Sequence, residues 1–182
     1  MTPAWSQPDL TPRAELIAEH RSLLAQLQAH KPRTPYLVIS TVDNRVLLRD
    51  PTHRIDRDAV AATGAPRRFE SPDAWKPAWN FATPKGRFEV LRKVVDPIWV
   101  KPEWAFLESG EEVPVFAEDP RRIHRGVLGE YALYFLKDYM IHGTLYEVNL
   151  GKSITHGCVR VSSADLRYLY ERVRLGWPVY VY

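Results

Sequence analysis

The sequence predicts a mainly β domain with one helix at its N-terminus and a second helix just after a glycine loop that carries the only cysteine. Three observations point there. Short runs rich in Val, Ile, Leu, Tyr and Phe recur from residue 36 onward, bounded by Gly, Pro, Asn or Asp. Helical periodicity is confined to two stretches, one near residues 11–30 and one after Ser162. The 182 residues are 45% hydrophobic and 12% aromatic, enough to bury a single core without a disulfide or metal staple.

The elements follow in order. The first ten residues are polar and proline-flanked and read as a loose arm. Thr11 is placed as N-cap with Pro12 at the first helical position. Leu16, Ile17, Leu23, Leu24 and Leu27 share one face of the helix that follows, which ends near His30 because Pro32 and Pro35 come next. Such a stripe predicts packing against the domain, ahead of partner binding or anchoring. YLVISTV (36–42) and RVLLR (45–49) flank Asp43-Asn44, a hairpin turn, and AVAATG (59–64) is a further strand. Residues 65–82, with Pro66, Pro72, Trp75 and Trp79, read as a long loop. TPKG (83–86) is a turn that feeds one strand, RFEVLRKVV (87–95).

Residues 96–126 carry Trp99, Trp104, Phe106 and Arg121-Arg122 but few periodic signals, and read as an insertion of the kind that more often forms a lid than an idle connector. YALYFL (131–136) and DYMIHG (138–143) make a strand pair with His142 at its end. Ser162 or Ser163 then caps a helix that turns Leu166, Leu169, Tyr170 and Val173 inward; Gly176 ends it, and PVYVY (178–182) is a closing strand. The division this predicts is an arm and amphipathic helix over residues 1–35 and a catalytic domain over residues 36–182.

Composition narrows the function. The net charge of +3, from 25 basic and 22 acidic residues, falls short of a nucleic-acid footprint. No run approaches the ~20 apolar residues of a membrane span. MTPAWSQPDLTPRAELIAEH lacks the basic start and apolar core of a secretion signal. One cysteine cannot form an internal disulfide, so cysteine usage does not report the redox compartment.

The chemistry gathers in SITHGCVRVSSADL, where Cys158 follows His156 and Gly157 and precedes Arg160. A thiol attacks as its thiolate, and an ordinary cysteine is mostly protonated at neutral pH. A histidine within reach takes that proton and leaves a thiolate–imidazolium pair. His142, at a strand end 16 residues upstream, is the assigned base, because a strand end and an adjacent loop meet across a groove. The carbonyl of Gly143 is a candidate acceptor for its other ring nitrogen. Gly157 permits a tight turn that exposes its own N–H and that of Cys158 as oxyanion donors, with His156 a further donor. Arg160 offers a fork for a substrate carboxylate, or pairs with an acidic residue of the fold. The plainer alternatives are a buried apolar cysteine, a core histidine at 142, and a metal set of His142, His156 and Cys158 with His124. His20, His30, His53 and His124 read as solvated.

IHGT (141–144) followed by THGCVR (155–160) resembles the signature of the L,D-transpeptidase catalytic domain, or YkuD, family. PYLVISTVDNRVLL is similar to that family's opening hairpin, AATG to the next strand, TPKGRFEVL to its TP-x-G-x-F segment, and LGEYAL to the strand before the histidine. The likeness runs from Tyr36 to Tyr182. It implies a mixed, sandwich-like or barrel-like β fold, with Cys158 as nucleophile, His142 as base, Gly143 orienting that base, and His156 and Gly157 shaping the oxyanion site. Arg160 and Thr144 become substrate-binding positions.

The implied activity is on peptidoglycan stem peptides. The cysteine is acylated at the diamino-acid carbonyl, terminal D-alanine leaves, and the acyl group passes to the side-chain amine of a second stem. Carbapenems are implied covalent inhibitors, no cofactor or metal is implied, and the implied location is the periplasm or cell envelope, which presumes a leader removed ahead of residue 1. Within the same chemistry, water as acceptor gives an L,D-carboxypeptidase or endopeptidase, and a protein lysine gives attachment to peptidoglycan. A non-catalytic wall-binding module, or an unrelated cysteine hydrolase or zinc protein, is the reading from outside the family.

Overall fold

A computed structural model describes residues 11–73 and 75–182. The chain divides into two units, one ending at Arg33 and the other running from Thr34 to Tyr182. The first contains helix α1, Thr11–His30. Within this unit the apolar stripe of the helix is not covered, Ile17 being 45% and Leu27 69% exposed. The predicted arm over residues 1–10 and the capping role of the Thr11 side chain lie outside the described residues.

The second unit is a curled mixed sheet with two small ribbons, the mainly β, half-barrel form of the predicted class. Its strands are β1 (Tyr36–Ser40), β2 (Arg45–Arg49), β3 (Ile55–Gly64), β4 (Arg68–Phe69), β5 (Trp79–Asn80), β6 (Gly86–Glu89), β7 (Arg92–Val95), β8 (Ile98–Val100), β9 (Ile123–Arg125), β10 (Tyr131–Leu136), β11 (Tyr139–His142), β12 (Ser153–Thr155), β13 (Val159–Val161) and β14 (Pro178–Val181). Helix α2 spans Glu103–Glu108 and α3 spans Ser163–Arg172. The large sheet runs β6-β14-β1-β2-β3-β13-β11-β10-β7, with β12 also paired to β3.

That order explains the curl. The segment predicted as one strand, 87–95, is two: β6 pairs with β14 and β7 with β10, at opposite ends of the path. Only Val90 and Leu91 separate them. The Val90 N–H donates to the Trp177 carbonyl and the Leu91 N–H to the Tyr134 carbonyl, so the chain changes partner within one peptide step. Two sheet ends joined by so short a link must lie close together, and the sheet bends round to meet itself. No Gly or Pro marks the break, and for that reason periodicity alone read straight through it.

The 96–126 insertion is also more ordered than its sequence suggests. β8 and β9 pair as an antiparallel ribbon, with α2 and a short 3-10 turn (Pro120–Arg122) between them. Likewise β4 and β5 form a two-residue ribbon inside the predicted loop 65–82. β12 and β13, unforeseen, hold both ends of the cysteine loop against β3.

The core lies between the curled sheet and α3. β1 and β2 are apolar nearly throughout because both of their faces are covered, and Leu37, Ile39 and Val46 are fully buried. Ser162 is the N-cap of α3, its Oγ accepting from the Asp165 N–H at 3.1 Å. Leu166, Leu169 and Val173 are buried as predicted, each contributing roughly 2 kcal/mol by removing its side chain from water. Tyr170 is only partly buried and stacks on Tyr131 at 4.2 Å. The helix ends at Val173, ahead of Gly176, which instead makes the turn into β14. Lys93 closes this end, donating to the carbonyls of Tyr170 and Val173 where the helix dipole is negative.

Candidate active site

Strand register alone assembles the site. β11 and β13 run parallel with Ile141 beside Val159 and His142 beside Arg160. Ile141 and Val159 are fully buried in the main core, so the residues that alternate with them point to the opposite face. One step back along the same register, Met140 lies beside Cys158. Thus Cys158 and His142 are diagonal neighbours on one face of adjacent strands, about 8 Å apart at the backbone. The rows continue outward: Met140 faces Tyr134, which faces Arg92, while His142 faces Ala132, which faces Val94. Cys158 packs on this face beside a small cluster of Leu128, Ala132 and Met140.

Hydroxyl groups lace the cysteine turn in place. Gly157 has φ +113, and a Cβ added there would lie 2.5 Å from Tyr139 Cε1, so glycine is required both by backbone conformation and by space. Thr83 Oγ1 donates to the Gly157 carbonyl at 2.9 Å and accepts from the Gly64 N–H at 2.8 Å. Thr155 Oγ1 accepts from the Gly157 N–H at 3.2 Å and donates to the Cys158 carbonyl. The Gly157 amide, expected as an oxyanion donor, is therefore already engaged inside the turn.

The surroundings of the thiol and the imidazole disfavour charge on either. His142 is 4% exposed, and its ring is held down to about 4, chiefly by burial and then by the charge of Arg160. Its Nδ1 is buried without a well-formed hydrogen bond, although backbone at Gly143 and Leu128 is near enough to favour the protonated ring slightly. Gly143 sits against Gly129, whose Cα is 3.2 Å from where a Gly143 Cβ would be. Burial pushes the Cys158 thiol up, opposed by the Met140 N–H and the Arg160 charge. The Cys158 Sγ donates to the Asp138 carbonyl at 3.6 Å, with no bond to His142 among the described residues. Both shifts favour the neutral thiol and the neutral imidazole over the expected thiolate–imidazolium pair.

His156 does something that its position in the sequence does not announce. Its Nε2 bonds Glu108 Oε2 at 2.7 Å and lies 3.1 Å from an Arg67 guanidinium nitrogen, while Arg67 also pairs with Glu108. Its ring stacks on Trp104 at 4.2 Å and meets Phe81 edge-on at 4.5 Å. Burial lowers its proton affinity, with Glu108 opposing. Burial alone would raise Glu108, but hydrogen bonds from Arg67 and His156 leave it net lowered. His156 therefore ties the cysteine loop to α2, and the nitrogen expected to serve an oxyanion is committed to Glu108. Sequence reasoning placed Trp104 in a lid-forming insertion but missed Arg67, Phe81 and Glu108, since no spacing links residues 41 to 89 positions apart.

The open side of this face is a cleft of about 990 Å³ that reaches from Cys158, His142 and Arg160 to α2 and the β8–β9 ribbon. Arg160 lines it and has no carboxylate partner among the described residues. His124, read as solvated, lines it too and packs on Trp99 at 5.3 Å. His53 instead bonds the Tyr36 hydroxyl at 2.7 Å, far along the chain from this site. Thr144, proposed as substrate-binding, is not among the lining residues; its Oγ1 accepts from the Tyr146 N–H at 3.1 Å and closes a turn.

Residues 34–181 match the L,D-transpeptidase catalytic domain family. The probable L,D-transpeptidase YbiS of Escherichia coli K12 is 33% identical over 98 residues, which are 50% of this chain and 30% of that protein. This chain therefore spans less than a third of the length of that relative. Among solved structures, an L,D-transpeptidase of Xylanimonas cellulosilytica superimposes with a TM-score of 0.58 at 22% identity, covering 88% of this chain and 69% of that one. L,D-transpeptidase 3 of Mycobacterium tuberculosis, solved with a faropenem-derived adduct, gives 0.54 at 22% identity over 81% of this chain and 60% of its own. At these identities the solved structures establish a shared fold.

Proposed function

The chain belongs to the L,D-transpeptidase catalytic domain family, and from that premise we propose that it is a cysteine-dependent L,D-transpeptidase of peptidoglycan stem peptides in the cell envelope. The observation that carries the proposal is the juxtaposition of Cys158 and His142 on one sheet face, open to a cleft. At pH 7 the imidazole is neutral and can accept the thiol proton, but burial makes it a weak base and the thiol a weak acid. In this reading proton transfer therefore accompanies sulfur attack on a bound substrate and does not precede it.

In the proposed reaction the Sγ–H proton passes to His142 as sulfur attacks the carbonyl of the diamino acid's L-centre. The C–N bond to D-alanine breaks, and His142 returns the proton to the departing amine. The thioester is then attacked by the side-chain amine of a second stem, releasing the thiol and forming a cross-link between third residues. Because the Gly157 amide is engaged, the Cys158 N–H is the oxyanion donor in this scheme. Arg160 holds the carboxylate of the terminal D-alanine. His156 and Gly157 act by shaping the loop, and Gly143 by letting Leu128 close over His142. The faropenem-derived adduct of the mycobacterial relative supports acylation of Cys158 by penems, and carbapenems would react at the same thiol.

Mass spectrometry of a tetrapeptide muropeptide incubated with wild type and with Cys158→Ala tests the proposal. Cross-linked dimer with loss of one alanine, formed by wild type alone, is the expected result. Tripeptide without dimer would assign the acyl-enzyme to water and a carboxypeptidase. Turnover by Cys158→Ala, or none by wild type, would overturn the assignment.

A further inference from the structure

The cleft contains cations that no carboxylate answers among the described residues. Of the charged side chains lining it, Glu108 is committed to Arg67 and His156, and Lys101 is paired with Glu111 at 2.6 Å. Arg92, Lys137 and Arg160 have no carboxylate partner among the described residues, and Asp138 is the one lining carboxylate outside those pairs. Elsewhere on the surface some guanidinium groups are paired, as in Arg45–Asp58 at 2.6 Å and Arg167–Glu130 at 2.7 Å. It is the gathering of three unpaired cations in one cleft that sets this site apart.

Arg92 is the most informative of the three. It stands in the same row of the sheet as Cys158, with Tyr134 and Met140 between them. Its guanidinium carbon lies 3.9 Å over the Tyr134 ring, which holds the group above that ring, and it makes no side-chain hydrogen bond or ion pair among the described residues. A group above Tyr134 is two strand spacings from the cysteine, roughly 10 Å. That matches the length of an extended diaminopimelate skeleton whose L-centre carbonyl is seated at sulfur. The far end of such a skeleton carries a second carboxylate, which a lysine side chain lacks and which amidation neutralises.

We propose that Arg92, supported by Lys137, binds the free carboxylate at the distal end of the donor stem's diamino acid and selects diaminopimelate stems over lysine or amidated ones. This inference rests on the proposed function: Arg160 takes the carboxylate of the leaving residue, and Arg92 reads the side chain that stays.

The test uses binding, which needs no turnover. Titration calorimetry of Cys158→Ala with a diaminopimelate tetrapeptide in free and amidated forms should show at least about tenfold tighter binding of the free form. That preference should vanish in Cys158→Ala/Arg92→Gln and return in part in Cys158→Ala/Arg92→Lys. Equal binding of both forms, binding of neither, or a preference that survives Arg92→Gln would each overturn the inference. Formation of the acyl-enzyme on wild type, followed by intact mass, assigns the subsite to donor or acceptor; equal acylation rates with free and amidated peptide would remove it from the donor. Selective binding by Cys158→Ala with no acyl-enzyme on wild type would sink the proposed reaction and leave this subsite standing.

Discussion

Replacing Gly157 with alanine tests the architecture of the cysteine turn. The added Cβ would lie 2.5 Å from Tyr139 Cε1 and 3.2 Å from its Cδ1. Carbon atoms in contact prefer about 3.5–4.0 Å, so the ring must retreat by roughly 1 Å. Tyr139 is partly buried against the main core, which leaves it limited room. The turn cannot move instead, because its carbonyl is held by Thr83 and its N–H by Thr155. A φ this far positive in a residue with a Cβ adds roughly 1–3 kcal/mol, and overpacking a further 1–3 kcal/mol.

A total of about 2–6 kcal/mol would move the midpoint of urea unfolding down by roughly 1–3 M at a slope of about 2 kcal/mol/M. Tyr139→Ala removes the clash but not the strained φ. In a double-mutant cycle it should therefore recover about 1–3 kcal/mol of the Gly157→Ala cost. A Gly157→Ala midpoint within about 0.2 M of wild type, or a cycle showing no coupling to Tyr139, would refute this account of the turn.

Two further outcomes follow from groups around the site. His142 has a folded value of about 4, below the ordinary 6.5, so the unfolded chain binds the extra proton first. Its contribution is therefore present above pH 6.5 and fades as pH falls toward 4, by about 3 kcal/mol at most. Thermal melts from pH 7 to pH 4 should show this slope in wild type and a flatter one in His142→Gln; parallel curves would remove His142 as its source. Thr83→Val strips a donor from the Gly157 carbonyl and leaves the Gly64 N–H buried without an acceptor, a loss of about 1–3 kcal/mol by urea unfolding. Thr83→Ser should keep most of the stability, and an equal loss in both variants would point to the methyl group instead of the hydroxyl.

Much of the fold was legible because burial leaves a local record. The hairpin of β1 and β2, the pair β10 and β11, the Ser162 cap and the buried leucines of α3 each show in residues a few positions apart. The histidine and cysteine motifs likewise identified residues that the sheet brings to one face. The break at Val90–Leu91 left no such record, because a change of hydrogen-bonding partner alters neither side-chain alternation nor composition. The stripe of α1 is a record of another kind, since a helical period says which side chains share a face but not what covers that face.

The sequence by itself determined the strand-rich class, the N-terminal and C-terminal helices, and the single thiol in a glycine turn downstream of a strand-end histidine, all of them consequences of chemistry carried within short segments. Only the tertiary structure decided the protonation and the neighbours of that site. Burial makes the imidazole and thiol neutral. Parallel register sets Arg160 beside His142, a helix from the insertion brings Glu108 to His156, and Tyr134 carries Arg92 into the same row as Cys158. Each of these depends on segments distant along the chain lying within a few ångströms, where desolvation and Coulomb forces become strong enough to set charge state, and no local pattern of residues encodes that proximity.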